Sequence, residues 1–158
     1  MKKLVTAALT FSMLFSAASF AAPVPASAQE TYATNGHKIV NTAKSYQGRV
    51  TYKWGVRNPA QLIFDCSSFT QFVFQKNGKK IPWGSKAQAK WGTPVNSKSR
   101  LAIGDLVMFS VNKPGQIDHV GIYSGNGKFI GNSPGGGVTI SSLKTGYWAS
   151  RYITGRHY

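Results

Sequence analysis

The 158 residues contain a single cysteine, Cys66. No disulfide can form within the chain, and no zinc-type spacing surrounds that residue. Acids are nearly as scarce: Glu30, Asp65, Asp105 and Asp118 stand against 19 Lys and Arg, a formal net charge of +15. Such a chain is drawn to polyanions. Its basic residues are scattered, and it has no arginine-rich tail, which argues for a surface partner such as an anionic wall or membrane rather than nucleic acid. Internal repeats are missing, and no second domain is expected.

Only one long hydrophobic run occurs, Leu4 to Ala22, after the basic Lys2 and Lys3 and before Ala26-Ser27-Ala28. That order is a secretory signal peptide with an A-x-A cleavage site. A transmembrane anchor is the alternative, but Ser and Ala dilute the run and a processing site follows it. The expected boundaries are a signal peptide over 1–28, a flexible start over 29–36 and one domain over 37–158. Cleavage leaves about 130 residues and a charge of about +13, enough chain for one domain with a core. The expected location is outside the cell, with no membrane insertion.

Asn35 is a candidate helix cap before Ile39, Val40, Ala43 and Tyr46, which share one face up to Gly48. In DCSSFTQFVFQKNG, Asp65 is a good N-cap, Phe69, Phe72, Val73 and Lys76 fall at helical spacing, and Asn77-Gly78 is a stop. The pattern predicts a helix over Cys66–Lys76; Phe72 and Phe74 alternate as in a strand, but cap and stop oppose that. Residues 81–100 read as a loop with one helical turn near Lys86–Lys90. After Gly104 the period changes to two, giving strands at Leu106–Val111, His119–Ser124, Lys128–Asn132 and Val138–Ile140, with another in Tyr147–Tyr158 and a hairpin at Asn126-Gly127. Helices followed by an antiparallel meander define an α+β class.

A lone exported cysteine is a buried apolar residue, an intermolecular bridge or a reactive thiol. In the first turn of a helix, Cys66 meets the positive end of the helix dipole, which favours thiolate. It needs a base. His37 precedes a helix and His157 is next to last, which leaves His119. Alternation in Ile117-Asp118-His119-Val120-Gly121-Ile122-Tyr123 puts Val120 and Ile122 toward the core and His119 on the other face, there to meet whatever packs on it, including the Cys66 helix.

Tyr52-Lys53-Trp54-Gly55, Phe64-Asp65-Cys66-Ser67-Ser68-Phe69, Ile81-Pro82 with Gln88 and Gly92, Ile103-Gly104-Asp105-Leu106-Val107-Met108-Phe109, Asp118-His119-Val120-Gly121-Ile122-Tyr123-Ser124-Gly125-Asn126-Gly127 and Phe129-Ile130 follow one another in order. From about Lys38 onward the chain resembles the NlpC/P60 family of papain-like cell-wall cysteine peptidases. The resemblance implies a small papain-like α+β fold with the cysteine helix packed on an antiparallel sheet. It implies amide hydrolysis in peptidoglycan stem peptides, commonly between γ-D-glutamate and the diamino acid. Cys66 would be the nucleophile and His119 its ion-pair partner and proton carrier. Tyr52 and Trp54 would line the cleft, and Asp65 and Ser67 would bind the stem peptide. No metal or cofactor is implied. The partners expected are stem peptides and anionic wall polymers, without nucleic acid, for a monomer. The same scaffold also serves an amidase, a poly-γ-glutamate hydrolase, an acyltransferase or a catalytically weak wall-binding domain.

The family's Trp-Gly-Gly is here Trp54-Gly55-Val56, and its Asp-Cys-Ser-Gly is Asp65-Cys66-Ser67-Ser68. Its third catalytic position, a polar residue that orients the histidine, falls on Gly131. Asn132 is the neighbouring candidate; a backbone carbonyl or water is the alternative. With a two-residue turn at Asn126-Gly127, Gly121 pairs with Asn132, which then shares the His119 face. With a three-residue loop, Gly121 pairs with Gly131 and Asn132 points away. Gly131-Asn132-Ser133-Pro134-Gly135 matches the G-x-S-x-G elbow in letters only, since Pro134 has no N–H for an oxyanion hole.

Overall fold

The computed structural model describes residues 25–158; the hydrophobic run of the expected signal peptide lies outside them. Helix α1 spans Ala26–Lys44, so the segment 29–36, expected to be flexible, is helical, and Asn35 lies inside the helix rather than at its cap. Thr31 and Thr34 return their hydroxyls to the carbonyls of Ser27 and Glu30, four residues back. Two tertiary contacts hold this extension. Tyr32 packs on the ring of His157 at 4.8 Å. Gly36 lies against the backbone of Ile103, where an added Cβ would sit 1.9 Å from the carbonyl oxygen.

Three two-residue strands follow: β1 (Thr51–Tyr52), β2 (Arg57–Asn58) and β3 (Ile63–Phe64), ordered β1-β3-β2. They deliver Phe64 to the start of α2 (Cys66–Lys76), whose bounds are those the sequence predicts. The predicted turn near Lys86 is α3 (Ser85–Gln88). The large sheet comprises β4 (Thr93–Val95), β5 (Leu106–Phe109), β6 (His119–Gly125), β7 (Lys128–Ser133), β8 (Gly137–Ser142) and β9 (Tyr152–His157), in the order β4-β9-β5-β6-β7-β8. All its pairings are antiparallel. β4, within the stretch read as loop, pairs through Thr93↔His157.

Both faces of the sheet are covered. On one, Leu106, Met108, Val120, Ile122 and Ile130 pack with Phe69 and Val73 of α2 and Ile39, Val40 and Ala43 of α1. On the other, Val107, Phe109, Phe129 and Leu143 pack beneath Tyr123, Trp148 and Tyr152. Val120 and Ile122 therefore face the core as expected, but α2 packs on their side of β6. His119 belongs to the opposite side, where Phe109 is its cross-strand partner.

The β6–β7 hairpin combines both registers considered from the sequence. Asn126 and Gly127 have φ of 54° and 69°, the two positive values of a two-residue type I′ turn. Gly125 pairs with Lys128 across it, but a bulge at Ser124 shifts the ladder to Tyr123↔Phe129 and Ile122↔Ile130. One extra residue reverses the facing of all that follow. Gly131 thus shares the His119 face, and Asn132 lies on the helix side opposite Val138.

Replacing Gly36 by Ala should separate α1 from the Ile103 turn and lower stability by about 1–3 kcal/mol, the usual cost of overpacking. Thermal denaturation checks this; an unchanged midpoint would show that α1 is not seated there.

Candidate active site

Asp65 organises the start of α2. Its Oδ1 accepts from the Ser68 N–H at 2.7 Å and the Ser67 hydroxyl at 2.8 Å, and its Oδ2 accepts from the Trp83 indole N–H at 3.0 Å. Ser68 closes a capping box: its Oγ accepts from the Asp65 N–H and donates to the Val56 carbonyl. Two departures from the family pattern, Ser68 and Val56, thus meet in one hydrogen bond. Gln88, fully buried, donates to the Ser67 and Pro82 carbonyls and accepts from Thr70. It ties α3 to the same turn.

Cys66 is the first residue of α2 and only 6% exposed, a poor position for an intermolecular disulfide. Burial pushes its thiol up to about 12, with the Asp65 charge adding to the shift; the backbone N–H groups of Val120, Ser67 and Cys66 itself act against it. The helix-end effect expected from the sequence is present in those last two donors, but desolvation outweighs it. The Val120 N–H, beside His119 on β6, is among the groups near enough to act on the thiol.

His119, the first residue of β6, is buried, and that burial pushes its imidazole down to about 4 against the opposing charges of Asp118 and Asp65. Burial thus weights the unliganded site toward neutral thiol and neutral imidazole. No hydrogen bond among the described residues engages the His119 ring, and its buried Nε2 is without a partner. The ring stacks on Trp148, with centroids 4.6 Å apart and planes at 24°. Asn132 is not its orienter: being on the helix side, it donates through Nδ2 to the Phe64 carbonyl at 2.8 Å. There it steadies the strand that leads into Asp65 and Cys66.

Tyr52 is half-buried near the thiol, its phenol pushed up to about 12 by burial and then by Cys66 and Asp65. It keeps its proton and can donate a hydrogen bond. Trp54 is 85% exposed on the loop after β1, outside the packed cluster. Ser67 and Asp65 are buried and already bonded to each other. Trp83 and Trp148 have contacts that sequence reasoning did not assign. Their only sequence signal is a large aromatic in a loop that also holds Gly and Ser. Among the described residues no three His, Cys, Asp or Glu side chains converge as metal ligands, and no helix is long and apolar enough to cross a membrane.

A thiol at the head of a helix packed on an antiparallel sheet, near the strand that opens with an imidazole, defines the papain-like α+β class. The chain belongs to the NlpC/P60 family, whose model matches residues 48–157. It is 38% identical over 117 residues to the bifunctional muramidase/DL-endopeptidase CwlT of Bacillus subtilis, covering 73% of this chain and 34% of that protein. It is 42% identical over 120 residues to the murein DD-endopeptidase/LD-carboxypeptidase MepS of Escherichia coli, covering 75% and 61%. The chain thus spans about a third of the first relative's length and three fifths of the second's. An NlpC/P60 family protein from Bacillus cereus superposes with a TM-score of 0.70 at 31% identity, over 78% of this chain and 40% of that one.

With the thiol held near 12 and the imidazole near 4, alkylation of the free protein by iodoacetamide should rise about tenfold per pH unit from neutral upward, tracking the small thiolate fraction. A rate plateau between about pH 5 and 8 would instead reveal a resting ion pair.

Proposed function

We propose that this chain is a secreted cysteine peptidase that hydrolyses amide bonds in peptidoglycan stem peptides, cutting between D-glutamate and the diamino acid. The observation that carries this reading is Cys66 at the head of α2, close enough for the Val120 N–H beside His119 to act on its thiol, in an NlpC/P60 chain. The DL-endopeptidase named in CwlT supports the choice of bond.

When a stem peptide enters, the Cys66 sulfur attacks the scissile carbonyl carbon while its proton passes to His119. The tetrahedral oxyanion can be met by the Tyr52 hydroxyl, which remains protonated at working pH. His119 then gives that proton to the departing amine as the C–N bond breaks, leaving a thioester on Cys66. Water, deprotonated by His119, attacks the thioester; the C–S bond breaks, and the sulfur recovers the proton. Asp65 acts chiefly by fixing the helix start, since Ser67, Ser68 and Trp83 occupy its oxygens; Trp54 offers the substrate an open aromatic face.

A second reading keeps this chemistry at another bond, favoured by the DD-endopeptidase and LD-carboxypeptidase named in MepS. Product masses from a digest of purified wall decide between them. The D-glutamyl reading expects fragments that begin at the diamino acid, with release lost at least 1,000-fold in Cys66→Ala and Cys66→Ser. Undiminished release by both variants would sink the assignment of Cys66.

The basic surface is proposed to hold the protein on anionic wall polymers. Arg57, Lys79 and Lys80 line, with Trp83, a cleft of about 610 Å³ with no carboxylate in its wall. Retention on purified wall should be strong in dilute buffer and lost near 1 M salt, where the screening length falls to about 3 Å. Retention indifferent to salt would refute this electrostatic account.

A further inference from the structure

We infer that Trp148 is the positioning residue of His119, doing by stacking what a polar side chain at position 131 would do by hydrogen bonding. This rests on the cysteine-peptidase reading above. Three observations support it independently. Gly131 lies on the His119 face of the sheet, as the bulged hairpin dictates, and brings no side chain. The buried Nε2 of His119 bonds to no protein group among the described residues. The imidazole instead lies nearly parallel to the indole of Trp148, 4.6 Å away at 24°.

The indole is itself held. Phe109, Phe129 and Tyr147 meet its edges and faces at 5.0, 5.5 and 5.0 Å, all steeply inclined. The loop that carries it is closed by the Arg151 N–H to the Trp148 carbonyl. Lys98 pins the same loop through the Leu143 and Ala149 carbonyls. Phe129 completes the enclosure, because its ring covers Gly121 so closely that a Cβ there would lie 2.4 Å away.

Stacking and hydrogen bonding constrain an imidazole differently. A polar partner fixes both the ring plane and the nitrogen that carries the proton. An indole fixes the plane only, but its π face attracts the imidazolium formed when His119 takes the thiol proton. Trp148 therefore acts on the charged, transient form of the histidine, the form that burial alone disfavours. Asp118 and Asp65 are the carboxylates whose fields favour that same form.

Position 131 supplies the control. Its backbone is not in the left-handed region, and a Cβ would make only ordinary contacts: 3.4 Å to the Phe129 ring and 3.6 Å to Gly121. The backbone and the first carbon of a polar side chain are accommodated there. The test uses Trp148→Leu, Trp148→Phe, and Trp148→Leu combined with Gly131→Asn or Gly131→His, assayed on purified wall beside Cys66→Ala. Expected is a fall in kcat of about 10–100-fold for Trp148→Leu, with KM within about twofold. Trp148→Phe should lose less, and the position-131 residues should recover several-fold of the loss. Side-chain nitrogen NMR of His119 should show both neutral tautomers in the unmodified protein and one in the Gly131→His background. A folded Trp148→Leu with unaltered kcat overturns the proposal, as does a loss that neither residue at 131 recovers while the His119 signals stay unchanged. Full activity in Cys66→Ala would instead strike the cysteine-peptidase reading itself.

Discussion

One carboxylate sets the geometry on which the site depends. Asp65 satisfies the otherwise orphaned Ser68 N–H of the first turn, takes the Ser67 hydroxyl and anchors the Trp83 indole. The start of α2, the depth of the thiol and the path of the loop toward α3 follow from it. The anion also has a cost, because its field raises the affinity of the neighbouring sulfur for its proton. Under the proposed mechanism this cost is tolerable, because the thiol would pass its proton to His119 before acting as an anion. On the far side of the same strand end, Asn132 and the Lys53 N–H share the Phe64 carbonyl, so the approach to the cap is fixed from the sheet as well.

The scarcity of acids has a structural counterpart. Three of the four are committed to the fold: Asp65 to α2, Asp105 to His157 and the Ala102 N–H, and Asp118 to the N–H groups of Val111 and Asn112. Few negative charges remain on the surface to offset Lys and Arg. A basic exterior is thus the by-product of using carboxylates as internal fasteners as much as a device for meeting a polyanion.

Much of this was legible in the residues. The cap and stop of α2 are local signals with strong physical causes, and they set its bounds from Cys66 to Lys76. Alternation in β6 correctly sent Val120 and Ile122 to the core. What escaped was non-local. The helical state of residues 29–36 depends on Tyr32 meeting His157 and Gly36 meeting Ile103, partners about 70 to 125 positions away in a chain of 158 residues. The bulge at Ser124 left no mark in composition, yet it decided whether Asn132 or Gly131 faced His119. Trp148 is invisible for the same reason: nothing in its own loop says which ring it will cover. The helix-end argument for a reactive thiol named a real force but not the larger one, since desolvation depends on everything packed around the first turn.

The neutral, covered state of Cys66 bears on durability. Peroxides and foreign disulfides react with thiolates, and with sulfur they can reach. Cys66, only 6% exposed and with burial favouring its protonated form, offers them little of either. In the secreted setting proposed above, an unpaired cysteine could then persist without a reductant to restore it. Under the proposed mechanism the nucleophile forms only in the act of turnover, so its chemical lifetime would follow the frequency of catalysis rather than the time the protein spends waiting.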